Sequence, residues 1–168
     1  MKLVLWTLFS LFSINTMACN INPGLYYCGK ANFSKEEIIS SKLTKVIDIQ
    51  LTDSSMIVED KMKEQKTIYP YSDELLITSV DAQTDKVIKS KSTCHESEAE
   101  LIETNSIQDK LESAKKMDII QVESDHLKIE SIKESIKAGK IKEVLNCYYV
   151  APARYLYDIA RGLKVLKD

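Results

Sequence analysis

Lys42-Leu43-Thr44-Lys45-Val46-Ile47-Asp48-Ile49-Gln50-Leu51-Thr52 carries the clearest periodicity in this 168-residue chain. Leu43, Ile47, Ile49 and Leu51 fall on one face at a spacing of two, and Lys42, Thr44, Asp48 and Gln50 fall on the other. Successive side chains of a strand point to opposite sides, so the pattern predicts a half-buried antiparallel strand. Working outward, Asp53-Ser54-Ser55 reads as a turn and Met56 to Glu59 as the next strand. The charged run Lys61 to Lys66 reads as a hairpin tip, and Thr67 to Tyr71 as an edge strand, since Pro70 lacks the N–H that a central strand needs. Upstream, Asn22-Pro23-Gly24 signals a turn before strand-forming Leu25, Tyr26 and Tyr27.

The same alternation recurs towards the C-terminus. Glu74 to Val80 (ELLITSV) is apolar on both faces and is expected to be well buried. Strands are predicted at Lys86 to Thr93, after the turn Asp81 to Asp85, and at Glu98 to Thr104. Asn105 to Lys116 has helical or irregular composition. Met117 to Val122 and His126 to Ile132 form a predicted hairpin, joined through Glu123-Ser124-Asp125. After the turn Lys137 to Lys140 comes a last strand with Ile141, Leu145, Cys147 and Tyr149 on one face. Many short strands with turns between them predict a mainly β fold, an antiparallel meander closing into a small barrel or a sandwich. The period then changes. Pro152 opens a helix expected over 152–167, whose stripe Leu156, Ile159, Leu163 and Leu166 packs on the β body.

The N-terminus bears on compartment. Met1 and Lys2, an uncharged run from Leu3 to Ile14 and small residues at Thr16 and Ala18 read as a secretory signal peptide over 1–18. The run is shorter than the roughly 20 apolar residues that span a bilayer. Cleavage after Ala18 leaves one domain, 19–168, and removal of Lys2 takes the net charge from −2 to −3. That mildly acidic surface lacks the basic footprint of a nucleic-acid binder. Thr16-Met17-Ala18-Cys19 resembles the lipobox of bacterial lipoproteins, which implies lipidation of Cys19 and an outer-membrane anchor. The even set Cys19, Cys28, Cys94 and Cys147 instead suits two disulfides in a soluble secreted or periplasmic protein. Three pairings are open. If first and last strands become neighbours, Cys28 faces Cys147 across the seam and Cys19 joins Cys94.

Gly24-Leu25-Tyr26 at the mature N-terminus, a run of antiparallel strands and a helix after the last strand together resemble lipocalin-type barrels and similar small secreted bacterial barrels. The family has tryptophan where this chain has Tyr26, and the sole tryptophan, Trp6, lies in the predicted signal peptide. The resemblance implies architecture and carries over no ligand-binding residue.

Chemistry-bearing patterns are sparse. Neighbours on a strand face opposite ways, so Cys94-His95-Glu96 does not converge on one ion. Ser124-Asp125-His126 has the residue types of a triad in what reads as a polar turn, and Glu96, Glu98 and Glu100 read as a solvated acidic face. No catalytic, cofactor-binding or metal-ligating set is assigned, no cofactor is expected, and the chain is not expected to be an enzyme. Tyr26, Tyr27, Tyr148 and Tyr149 become a candidate binding patch if the terminal strands pair. Two functions follow as expectations: a non-catalytic barrel holding a small apolar ligand, or a side-chain-filled barrel that binds an envelope protein through its surface. Both describe a monomer without nucleic acid, touching membrane only through a lipidated Cys19.

Overall fold

The computed structural model describes residues 20–32, 35, 43–107, 114–136 and 138–160. The predicted signal peptide, Cys19 and the helix end beyond Ala160 lie outside them. Among the described residues there are ten strands: β1 (Gly24–Lys30), β2 (Lys45–Leu51), β3 (Ser55–Asp60), β4 (Gln65–Pro70), β5 (Leu76–Asp81), β6 (Lys86–His95), β7 (Glu98–Ile107), β8 (Ala114–Val122), β9 (Leu127–Ser135) and β10 (Gly139–Val150). One helix, α1 (Pro152–Ala160), follows the last strand. All ladders are antiparallel, in the order β4-β3-β2-β1-β10-β9-β8-β7-β6-β5. First and last strands are therefore neighbours, and the meander curls into a nearly closed barrel.

Closure at the remaining gap, between β4 and β6, is made by a short backbone bridge and by side chains. One isolated bridge joins Tyr71 to Ser92. The Ser92 hydroxyl donates to the carbonyls of Tyr69 at 2.9 Å and Pro70 at 3.2 Å, and the Ser90 hydroxyl donates to the carbonyl of Ile68. Pro70 has no N–H to offer a ladder, so buried serines supply donors that the edge can accept. β5 is displaced from this seam. It pairs only with β6 and carries a register shift between Ile77 and Ser79.

The expectation that ELLITSV is buried is thus wrong: Leu76, Ile77 and Val80 are 43%, 62% and 61% exposed. An apolar strand is buried only where other elements cover its faces, and here β4, rather than β5, docks on the second half of β6. The expected helical or irregular segment from Asn105 to Lys116 is also corrected at both ends. β7 runs on to Ile107 and β8 starts at Ala114. Long-range pairing of Thr104 with Lys115 and Asn105 with Ala114 overrides the weak local preference there.

Inward-facing positions of the strands other than β5 build the main core: Tyr26 and Cys28 of β1, Ile47 and Ile49 of β2, Met56, Tyr69, Leu101, Ile120, Ile129 and Leu145. A second core lies outside the barrel wall, where Leu25, Tyr27, Val46, Tyr148 and Val150 are covered by Tyr155 of α1. β1, the start of β2 and the end of β10 are therefore covered on both faces over part of their length. This explains unbroken runs such as Leu25-Tyr26-Tyr27-Cys28. Gly24 has φ of +141°, and the Tyr149 ring sits where a side chain would go, 2.6 Å from an ideal Cβ. Glycine is needed at that close approach.

Candidate binding cavity in the barrel

One end of the barrel is stoppered by the N-terminal segment. Ile21 is buried in the main core, the Asn20 amide donates to the Glu96 carbonyl at 3.2 Å, and the Tyr26 hydroxyl donates to the Asn22 carbonyl at 2.6 Å. Tyr149, opposite Tyr26 in register, meets its ring edge to face at 5.8 Å. Midway along the barrel, directly opposed Cys28 and Cys147 form a disulfide, both fully buried. This is the seam bridge expected from closure of the sheet, and a disulfide suits an oxidising, extracytoplasmic compartment. Cys94 is also disulfide-bonded. Its expected partner, Cys19, lies outside the described residues.

Beyond the disulfide the interior opens into a partly enclosed cavity of about 160 Å³. Its floor is apolar, made by Ile47, Leu101, Ile120, Ile129 and Leu145 around the Cys28 sulfur. Its rim is charged, with Lys45, Lys116 and Lys133 facing Asp118 and Glu103. Parity explains the change: Lys45 continues the inward face of Ile47 and Ile49, and Lys116 and Asp118 continue that of Ile120 and Val122. That parity was the available signal. Lys45 stands on the apolar face of β2, between Leu43 and Ile47.

The rim charges are unequally satisfied. The Lys116 ammonium lies 2.6 Å from an Asp118 carboxylate oxygen, and the Ser131 hydroxyl donates to the other oxygen. Burial alone pushes the Lys116 pKa down, but Tyr69 and the Asp118 and Glu103 carboxylates outweigh it, so the ammonium holds its proton more firmly than an ordinary lysine. Burial pushes the neighbouring Tyr69 hydroxyl from 10.0 up to about 12. Lys45 shifts the opposite way, lowered first by burial and then by the Lys116 charge.

The sequence-derived candidates are dispersed. Pairing of β1 with β10 does bring the four tyrosines to one seam, with Tyr26 opposite Tyr149 and Tyr27 opposite Tyr148, yet alternation sends them to both sides of the wall. Tyr26 is interior, Tyr27 and Tyr148 lie in the outer core, and Tyr149 is 53% exposed. The Tyr27 hydroxyl donates to Asp158 Oδ2 at 3.1 Å, beneath α1. Burial first, then this carboxylate, raises the Tyr27 pKa. Arg154 Nε donates to the same oxygen at 3.1 Å; it lies 3.0 Å from Oδ1 as well, but out of hydrogen-bond alignment.

That pocket corrects the expected helix face. Tyr155 and Asp158 turn inward, whereas Leu156 is 65% exposed. Of the expected stripe, Leu156 faces outward because the buried aspartate, held by tyrosine and arginine, turns the opposite side of the helix in; the Ile159 side chain is outside those described. Leu163 and Leu166 lie outside the described residues.

Elsewhere, the Cys94 thiol is consumed by its disulfide, and Glu98 accepts from Gln121 Nε2 at 2.9 Å. His126 Nδ1 lies 2.8 Å from Asp125 Oδ1, and its ring stacks on Tyr148 at 5.2 Å. Among the described residues no three His, Cys, Asp or Glu side chains cluster as metal ligands, and no helix is long and apolar enough to cross a membrane. No known protein family, curated protein or solved structure matches the chain. The barrel agrees with the architecture implied by the lipocalin likeness, and no comparison supports membership of that family.

Proposed function

We propose that the chain is a secreted or envelope-associated, non-catalytic binding protein whose barrel holds one small ligand. The observation that carries this reading is the form of the interior: a stopper and packed core fill one part, and a cavity of about 160 Å³ with an apolar floor and charged rim occupies the other. Ordinary ligand pockets run to roughly 300–1,000 Å³, so the occupant is ring-sized and not a long apolar chain. The signal-like residues 1–18 and the two disulfide-bonded positions Cys28 and Cys147 support placement outside the cytoplasm. Native mass spectrometry of the protein purified from its own cells tests both parts. The expected species starts at Cys19 and carries a small adduct that collisional activation releases. A ligand-free chain retaining Met1 to Ala18 would overturn the reading.

A second reading, an interaction module, is favoured by β5, which ends the sheet with a backbone edge unpaired among the described residues and with exposed Leu76, Ile77 and Val80. Such an edge accepts an extended segment of a partner protein as an added strand. Replacing Ile77 by lysine would abolish capture of that partner and leave any cavity ligand in place.

A further inference from the structure

Resting on the barrel-ligand reading, we propose that the cavity takes a small aromatic or similarly compact monocarboxylate, its apolar body on Ile47, Ile120 and Ile129 and its carboxylate at Lys45 and Lys133. Two independent features converge on this class. The first is size and surface. A dry cavity of ~150 Å³ accommodates a benzene ring, close to the volume found here above an aliphatic floor.

The second is charge. Four lysines line the cavity (Lys45, Lys63, Lys116, Lys133) against three carboxylates (Asp60, Glu103, Asp118), an excess of one positive charge. The carboxylates are already engaged: Asp118 by Lys116 and Ser131, Asp60 by the Met62 amide at 3.1 Å, and Glu103 by the Asn105 amide group at 3.3 Å. Lys45 and Lys133 have no ion pair among the described residues. Moreover, Lys133 stands directly opposite Lys116 in the β8–β9 ladder. Like charges at such a pair destabilise a sheet; Lys45 is half-buried, where an ammonium without a counter-charge is costly, and Lys133 is exposed at the cavity mouth. A bound carboxylate removes that cost by accepting charge-assisted hydrogen bonds from both ammonium groups. A single negative charge matches the excess, whereas a dianion overshoots it and leaves the apolar floor unused.

The test uses the mature protein at pH 7 and low salt, titrated with benzoate, neutral benzamide, cationic benzylamine and inorganic phosphate. Calorimetry and NMR shifts of the Ile47, Ile120 and Ile129 methyl groups are read together. Benzoate is expected to bind at least tenfold more tightly than benzamide, to shift those methyls, and to exceed both benzylamine and phosphate. Lys45→Gln and Lys133→Gln should each weaken benzoate about tenfold and leave benzamide unchanged, while Lys89→Gln, on the outer surface, changes neither. If Lys45→Gln does not fold, Lys133→Gln still decides the charge question. Equal binding of benzoate and benzamide at the cavity methyls would overturn the anion preference and keep the ligand reading. Phosphate binding as tightly as benzoate would overturn the apolar-body assignment. Failure of all four probes to move the methyls would overturn both readings.

Discussion

Replacing Cys28 and Cys147 together by alanine should cost the protein much of its stability, chiefly through the unfolded state. The bridge closes the chain over a sequence separation of 119 residues. For a loop of that length the chain-entropy treatment gives roughly −16 cal/mol/K, or about 5 kcal/mol at 25 °C. The crosslink at Cys94 persists in the variant and continues to restrict the unfolded chain. The expected loss is therefore on the order of 3–5 kcal/mol, against total stabilities of about 5–15 kcal/mol for domains of this kind. Urea unfolding of the oxidised protein and the double variant measures it. If crosslinking restrains the unfolded ensemble, the variant's m-value rises, because its unfolded chain exposes more surface. Loss of buried sulfur packing acts on the folded state and leaves m unchanged. A loss below about 1 kcal/mol with an unaltered m-value would refute the assignment of the seam bridge as the main restraint.

Tyr69 makes stability fall at high pH. Its folded pKa of about 12 lies above the ordinary 10.0, so its contribution is complete below pH 10 and is lost as pH rises towards 12. Two pKa units correspond to about 2.7 kcal/mol in full, of which roughly 2 kcal/mol is lost between pH 9 and pH 11.5; Tyr69→Phe should remove that drop in stability from urea unfolding, and an identical drop in the variant would refute the attribution. Ser92→Ala withdraws the donor shared by the Tyr69 and Pro70 carbonyls. Its expected cost is about 1–3 kcal/mol, with faster hydrogen exchange in β4 and none in β9, and unchanged exchange in β4 would show that the serine does not hold the seam. Tyr27→Phe leaves Asp158 with Arg154 as its remaining partner and should cost about 1–2 kcal/mol. Amide protection in α1 should fall with it; retained protection would show that the buried pair does not fix the helix.

Alternation along single strands determined much of this molecule. Ile47, Ile49 and Leu51 share a face because a pleated strand repeats every two residues, a local property that needs no partner. The turns at Asp53-Ser54-Ser55 and Glu123-Ser124-Asp125 set the meander, and a meander with adjoining ends brings Cys28 opposite Cys147. The tertiary structure decided what lay beyond each strand. Whether ELLITSV was covered depended on which edge reached β6, and the answer came from β4 with Ser90 and Ser92 as donors. Tyr27 and Tyr148 lie in the outer core, with Tyr27 under α1, while Tyr26 lies inside, because two neighbouring residues belong to different cores separated by the barrel wall. The helix face was set by Asp158, whose burial is intelligible only once Tyr27 and Arg154 are seen around it. The cavity followed the same division. Strand parity places Lys45 and Lys116 inward only once β2 and β8 have their observed bounds, and their convergence with Lys133 joins β2, β8 and β9. Positions that far apart in sequence acquire a common electrostatic field only when the sheet curls and brings them round one opening.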